Sequence, residues 1–361
     1  MDRLLFTRAD KSPLARWWWS VDIQSLGLVF VLMAIGLLAV FSSMANPVTP
    51  SSAFVKHIVF VISGMMVIIM VSFLSPRQVK GFAGILFFIA FGMMLFILIT
   101  GGQEVKGAHR WVRLFGFGLQ PSEFIKPALA VLFANLFVLG KQQQQNFFYG
   151  LAGGVLLAVM ALLLLQPDIG MTILVYATFL AILFLAGTSW RFILLLVVLM
   201  AIGVVVMYYL FPHVQDRVLG LNDYQIKKSL SAFINGGFFG TGLGNGVVKL
   251  TLPDVHTDFI LALLGEELGL LPTLAVMAIY PIIILKCFKR LYESKNDFVI
   301  IAGGGLVCQF GLTALINIFS VLGLGPTKGL TLPFVSYGGS AMIATSITIG
   351  LLLALTRQKN D

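Results

Sequence analysis

Acidic side chains and a histidine are concentrated between Thr251 and Leu270, in the stretch TLPDVHTDFILALLGEELGL, where an apolar segment of membrane-spanning length begins. On a helix with ~1.5 Å rise and ~100° turn per residue, Glu266 lies about 12 Å beyond Asp258, and Glu267 faces the opposite side. Ionisable groups at this depth in a membrane are costly, which makes them functional candidates. The spacing predicts Asp258 at the water boundary and both glutamates inside the protein.

Two other interpretations of this stretch stay open. Thr257 or Asp258 could cap a helix that begins at Phe259, with the two glutamates paired to basic residues. The DxHxD arrangement of Asp254, His256 and Asp258 could hold a divalent ion. No second cluster of ligands accompanies it, so we expect no dedicated metal site.

The composition is typical of a polytopic membrane protein. Of the 361 residues, 58% are hydrophobic and only 11% are charged, which is too little polar surface for a soluble protein of this size. The net charge is +9, but the basic residues are scattered singly between apolar runs. This pattern excludes a nucleic-acid partner and favours an anionic membrane surface or lipid substrate. Cys287 and Cys308 are predicted to be free thiols, because they lack CxxC spacing.

Ten apolar runs have the length of a membrane helix. They cover residues 22–43, 54–75, 80–101, 122–140, 147–166, 168–187, 190–212, 259–287, 298–320 and 334–356. We therefore predict an all-α polytopic membrane protein with one ten-helix domain at 22–356, flanked by cytoplasmic tails at 1–21 and 357–361. The long loop between helices 7 and 8, residues 213–258, is predicted to be extracytoplasmic.

The distribution of Lys and Arg gives the predicted orientation. The loops on the side of the termini carry 14 of these residues and the other side carries 8, so the positive-inside rule places both termini in the cytoplasm. The outer cations fall in three segments: Lys106, Arg110 and Arg113; Arg217, Lys227, Lys228 and Lys249; and Lys328. Their clustering against the trend predicts an anionic ligand on the outer face.

Charged residues also occur beside two other predicted helices. Glu123 and Lys126 are three residues apart at the start of the fourth helix, so they share one face and can pair with each other. A structural ion pair and a substrate-binding site both stay open, because a charge inside the membrane needs a partner in either case. Asp168, in the turn between the fifth and sixth helices, is predicted to cap the sixth.

Glycine and proline mark two irregular outer segments. Residues 235–246, NGGFFGTGLGNG, lack the GK[ST] ending of a nucleotide-binding loop, and we expect them to fold close to a bulky substrate. Before the last helix, Pro326 and Pro333 interrupt the helical pattern around Lys328. Broken backbone at membrane depth is tolerated where it lines a polar cavity, which predicts such a cavity here.

Six strings carry a resemblance that covers nearly the whole chain: VKGAHRW, LQPSEFIK, QPDIG, NGGFFGTGLGNG, LPDVHTDFILALLGEELG and PTKGLTLPFVSYGGS. In this order they resemble the SEDS family (shape, elongation, division and sporulation), the membrane glycosyltransferases that polymerise peptidoglycan from lipid II. The last string is more similar to the division branch than to the elongation branch. At Asp254 the division branch more often has Glu, which preserves the charge.

The resemblance implies a catalytic Asp in the long outer loop, which is Asp258 here. The substrate-binding residues that we predict from the same strings are Lys126, Glu123, Arg110, Lys328, His256 and Ser336. Glycan polymerisation needs a base for the acceptor hydroxyl, which Asp258 would supply, and cations for the leaving diphosphate. A divalent cation, Mg or Mn, is expected to bind with the diphosphate as the cofactor.

The implied partners are lipid II, a class B penicillin-binding transpeptidase, other division proteins and membrane lipids. The implied location is the bacterial cytoplasmic (inner) membrane at the division septum. A lipid II flippase stays open as the alternative, since intramembrane charges and broken helices also suit transport. A purely scaffolding protein would explain the apolar runs but not the outer charges.

Overall fold

The computed structural model describes residues 12–44, 52–105, 108–114, 117–210, 223–325 and 329–357. The α-helices of these residues are α1 Pro13–Ser20, α2 Ile23–Ser43, α3 Ala53–Ser72, α4 Pro76–Thr100, α5 Pro121–Gln143, α6 Asn146–Leu165, α7 Ile169–Leu185, α8 Trp190–Leu210, α9 Asp223–Gly236, α10 Ile260–Leu268, α11 Leu270–Tyr292, α12 Asp297–Val321 and α13 Gly339–Leu355. Cys287 and Cys308 are free thiols, as predicted.

The predicted polytopic helical architecture is confirmed. Among the described residues, α2 to α6, α11 and α12 are long and apolar enough to cross a membrane, and α7, α8 and α13 contain shorter apolar helices. The most apolar stretches of α5 and α12 are 78% and 67% buried, against 22% for α3. The two central helices can therefore carry polar groups away from lipid.

The eighth apolar run is not one helix, which corrects the prediction of a single span over residues 259–287. α10 ends at Leu268, and Gly269 adopts φ 85° and ψ 179° before α11 begins. A Cβ atom at Gly269 would lie 2.4 Å from the backbone nitrogen of Gly240. Only glycine fits both this backbone conformation and this close approach.

The segment after α9 packs against this break. Gly236 ends α9 where an added Cβ would lie 2.0 Å from the Gly265 carbonyl oxygen, and Leu270 N donates to Gly237 O at 2.9 Å. We call residues 237–247 the glycine-rich limb; it leads back to a 3-10 turn at Val248–Leu250. Gly236 and Gly240 are therefore required by their close approach to α10. The expected contact of this stretch with a bulky substrate stays a prediction.

A small antiparallel sheet between α4 and α5 departs from the all-α prediction. Its strands are β1 Gln103–Val105, β2 Ala108–Leu114 and β3 Phe117–Leu119, in the order β1-β2-β3. The sheet leads directly into α5, and Gln120 N donates to Ser340 Oγ at 2.9 Å. This bond joins the start of α5 to the start of α13.

The interruption predicted before the last helix is confirmed, since α13 begins only at Gly339. The preceding residues, 329–338, are non-helical and pack against α2. A Cβ atom at Gly36 would lie 2.6 Å from Phe334 O, so α2 and this segment approach each other closely. Tyr280 in α11 also donates to Pro333 O at 2.9 Å. The segment therefore has a defined position against α2 and α11.

Candidate active site

Asp258 lies in a turn immediately before α10, and its side chain is half-buried. Asp254, at φ 54°, forms the turn by accepting backbone hydrogen bonds from Thr257 and Asp258, both at 3.1 Å. On the other side, Asn317 Nδ2 in α12 donates to the Asp258 carbonyl at 2.9 Å. The backbone of Asp258 is thus fixed from two directions while the carboxylate remains partly exposed.

Helix capping does not explain Asp258. α10 begins at Ile260, and its N-cap residue is Phe259, which makes no side-chain capping hydrogen bond. Thr257 Oγ1 instead donates to Asp254 O at 3.2 Å. The interpretation of Thr257 or Asp258 as the N-cap residue of this helix is therefore wrong.

Segment 329–338 borders the same turn. Tyr337 N donates to His256 O at 2.9 Å, and the rings of these two residues lie 5.6 Å apart. Ser336 Oγ donates to Thr257 O and accepts from Leu332 N. His256 and Ser336 thus both contribute to holding the turn. Their contact with substrate stays a prediction.

Lys328 lies outside the described residues. The next residue in sequence, Gly329, has φ 65°, and a Cβ atom there would lie 3.7 Å from Asp258 Oδ2. Any larger side chain at Gly329 would therefore extend toward the carboxylate. The predicted contact of Lys328 with the substrate stays a prediction.

Glu123 and Lys126 form the ion pair that their spacing predicted, in the first turns of α5. Lys126 Nζ lies 2.7 Å from Glu123 Oε2, and the two residues are 6% and 7% exposed. Lys126 also lines a small cavity with residues of α12 and α13: Gln309, Phe310, Thr313, Ala344, Thr345 and Thr348, together with Pro333. The lysine thus has a buried acidic partner and polar space beside it.

Polar residues of α12 connect this cavity with Asp258. Gln309, Thr313 and Asn317 are spaced four residues apart, so they follow one face of the helix over about 12 Å. All three are buried, and the side-chain oxygens of Gln309 and Asn317 have no hydrogen-bond partner among the described residues. Our reading of the sequence missed these residues, although polar side chains at i, i+4 and i+8 in an apolar helix are a usable signal.

Arg110 contacts the outer turn between α6 and α7. Its Nε donates to Gln166 O at 2.8 Å, its Nη2 donates to Pro167 O, and its Nη1 lies 3.4 Å from Asp168 Oδ2. Asp168 Oδ1 accepts from Met171 N at 3.2 Å, which confirms the predicted cap of α7. Burial raises the pKa of the Asp168 carboxyl group, and the charge of Arg110 opposes this shift. A role of Arg110 in binding substrate stays a prediction.

Replacing Arg110 with methionine is expected to destabilise the protein by about 1–3 kcal/mol, because buried acceptors at the turn lose a charged donor. The measurement is thermal unfolding of the purified protein in detergent. Arg113→Met, which removes an exposed arginine from the same strand, is the matched control and should unfold at the wild-type temperature. Equal stability of both variants would contradict a role of Arg110 in holding the turn.

Glu266 and Glu267 point into the protein, as predicted, with different partners. Glu266 accepts from the backbone nitrogens of Val247 and Val248, both at 2.7 Å, whereas Glu267 Oε1 lies 2.5 Å from Lys249 Nζ. Lys249 is therefore buried in an ion pair. This corrects the expectation that it belongs to the outer cations available to an anionic ligand.

No group of three or more His, Cys, Asp or Glu side chains in the described ranges could hold a metal ion. Asp254, His256 and Asp258 share one turn without forming such a group.

The amino-acid sequence matches a known protein family. The FtsW/RodA/SpoVE model, described as cell cycle protein, matches residues 23–361. The chain belongs to this family. Several proteins named "probable peptidoglycan glycosyltransferase FtsW" are similar to this chain over almost their whole length. The one from Caulobacter vibrioides is 35% identical, over 98% of this chain and 94% of that protein. The one from Geobacter metallireducens is 36% identical, over 94% and 96%.

Solved structures of the FtsW/RodA/SpoVE family have the same fold. One such structure is a chain of a peptidoglycan synthase complex that coordinates polymerization and crosslinking. It has a TM-score of 0.78 and 27% identity to the present protein, and the match covers 95% of the present protein and 100% of the chain in the complex. The rod shape determining protein RodA of Thermus thermophilus has a TM-score of 0.72 and 26% identity, over 95% and 99%. Because the sequence relatives above are named FtsW, the predicted resemblance to the division branch is confirmed.

Proposed function

We propose that this protein is a peptidoglycan glycosyltransferase that polymerises lipid II into glycan strands at the outer face of the membrane, with Asp258 as the general base. One observation carries the proposal. A half-buried carboxylate without a capping role and a buried lysine, Lys126, lie along one polar face of α12 in a chain of the FtsW/RodA/SpoVE family. Glycosyl transfer from a diphosphate requires a base for the acceptor hydroxyl and a cation for the leaving diphosphate.

In the proposed reaction, Asp258 accepts the proton of the acceptor's 4-hydroxyl group while that oxygen attacks C1 of the donor sugar. The bond between C1 and the diphosphate oxygen breaks, and the lipid diphosphate leaves with the bonding electrons. Lys126 and Arg110 stabilise its negative charge, and Lys328 is proposed as a third cation. Glu123 orients Lys126 through their 2.7 Å contact.

A divalent cation held by the diphosphate would further stabilise the leaving group as a Lewis acid. His256 and Ser336 are proposed to contact the substrate near Asp258, in addition to holding the turn. These assignments follow from their position beside the base and are tested by substitution.

The proposed location is the bacterial inner membrane at the division septum, which is consistent with the apolar helices and the FtsW relatives. The proposed partner is a class B penicillin-binding transpeptidase, since a similar chain belongs to a complex for polymerization and crosslinking. Other division proteins and membrane lipids are proposed as further partners.

Purified protein in detergent should lengthen glycan chains from purified lipid II, alone or with the transpeptidase partner, and Asp258→Ala should stop this. Detergent removes sidedness, so a flippase has no product in this assay. Gel separation of the glycan products is the measurement. The glycosyltransferase proposal fails if the wild type is inert in detergent but moves labelled lipid II across sealed vesicles, and Asp258→Ala does so too.

A further inference from the structure

A fully buried ion pair lies next to the glycine-rich limb and outside the proposed reaction. Lys249 is 1% exposed and Glu267 is 2% exposed. Lys249 Nζ lies 2.5 Å from Glu267 Oε1 and donates to Gly244 O at 2.9 Å and to Ser42 Oγ at 3.1 Å. Ser42 Oγ in turn donates to the Glu267 carboxylate at 2.6 Å. The cluster therefore joins α2, the limb and α10 through one ammonium group.

The neighbouring Glu266 holds the backbone of the same residues. Its carboxylate accepts from Val247 N and Val248 N at 2.7 Å, from Lys249 N at 3.0 Å and from Asn235 Nδ2 at 2.8 Å. All these acceptor sites are directed at the protein itself. Glu266 is therefore a positioning group and not a second base for the reaction.

Hydrogen bonds to α10 fix the backbone of the limb as well, since Thr241 N donates to Glu266 O at 2.9 Å and Gly242 N donates to Glu267 O at 3.0 Å. Gly240, Gly242 and Gly244 have positive φ angles, and Leu243 and Val247 are exposed. Glycine loses more conformational freedom on ordering than any other residue, and exposed apolar side chains contribute little to holding a loop on the bundle. Polar contacts from α10 and α2 consequently determine where the limb lies.

Stability alone is a weak explanation for such a pair. Two charges must be removed from water, and replacing both partners of a buried pair by apolar residues is often neutral or stabilising. Loss of one partner is strongly destabilising, because the remaining charge is buried without compensation. Unlike an apolar contact, the ion pair holds the limb and α10 in a defined geometry relative to each other.

We propose that Lys249, together with Glu267 and Ser42, is a positioning residue for Asp258. The 3-10 turn that contains Lys249 leads through the buried Leu252 and Val255 into the turn of Asp258. Asn317 and segment 329–338 fix the far side of that turn, and the ion pair fixes the near side. This inference rests on the proposed glycosyltransferase function.

The test is the double variant Lys249→Met with Glu267→Met, assayed for glycan polymerisation beside the wild type and Asp258→Asn. We expect the double variant to unfold at or above the wild-type temperature, whereas Lys249→Met alone unfolds lower. We also expect its kcat per folded molecule to fall at least ~10-fold with little change in KM, because a small misplacement of a catalytic group is costly. If the pair is only structural, the double variant should recover the wild-type kcat together with the wild-type stability.

The exposed pair Lys141–Asp297, with side chains 65% and 51% exposed, provides the matched control. Lys141→Met with Asp297→Met should leave kcat unchanged.

A double variant at 249 and 267 that keeps the wild-type kcat overturns the proposal. If that variant does not fold, Glu267→Gln decides, because it retains the shape: a lower kcat at constant KM supports the proposal and an unchanged kcat overturns it. A wild type that is inactive both alone and with the transpeptidase partner would instead refute the function itself.

Discussion

Asp258→Asn is expected to abolish glycan polymerisation while the protein keeps its fold. The amide preserves the shape of the carboxylate but cannot accept the proton of the acceptor hydroxyl, and loss of a general base typically costs ~10²–10⁴ in rate. We expect little loss of stability, because the amide keeps the shape of the side chain and the backbone hydrogen bonds of Asp258 with Asp254 and Asn317 are retained. Polymerisation of lipid II and thermal unfolding are measured on the same preparation.

The control is Asp297→Asn, the same chemical change at an exposed carboxylate. It should polymerise lipid II at the wild-type rate. If Asp258→Asn loses stability and its activity falls only in proportion to the folded fraction, the residue has a structural role. Near-normal synthesis by a folded Asp258→Asn protein would remove it from the mechanism.

Exchanging the charges of the central pair, Glu123→Lys with Lys126→Glu, is expected to leave the protein inactive. A pair at i and i+3 survives reversal with modest loss of stability, so a purely structural pair would be restored. Lys126, however, lines the polar cavity beside Gln309 and Thr313, whereas the exchange moves the cation one turn of α5 away. Loss of one stabilising donor to the leaving group corresponds to ~10²–10³ in kcat.

The matched control reverses the exposed pair, Lys141→Asp with Asp297→Lys. Because surface ion pairs contribute little, it should stay within about twofold of the wild type. Single-turnover polymerisation separates the chemical step from substrate binding for both exchanges. Recovery of most of the activity by the reversed pair at 123 and 126 would assign these residues a structural role only.

Local features of the chain were sufficient for much of the architecture. A membrane helix needs an apolar run of a certain length and forms all its backbone hydrogen bonds within itself, so the positions of the spans could be predicted. The ion pair of Glu123 with Lys126 and the cap at Asp168 depend on neighbours within four residues. They could be predicted for the same reason.

Contacts between distant residues could not be predicted in this way. The partner of Lys249 is 18 residues away, and Ser42, which completes the cluster, is 207 residues away. A lysine in a long outer loop is typically exposed, so its charge suggested a ligand, and only the packing of the limb against α10 buries it. The short sheet before α5 likewise depends on pairing between strands. The sequence of this region shows no clear alternation of polar and apolar residues that would have predicted strands.

The membrane class, the order of the spans and the position of Asp258 at the start of the eighth span follow from the amino-acid sequence alone, because the length of an apolar run and the place of a charge within it are properties of the chain. The break of this span at Gly269, the N-cap position of Phe259 and the hydrogen bond from Asn317 to the Asp258 carbonyl are seen only in the folded structure. These features depend on backbone approaching backbone and on helix faces meeting across the bundle. Such contacts are fixed only when the helices pack together.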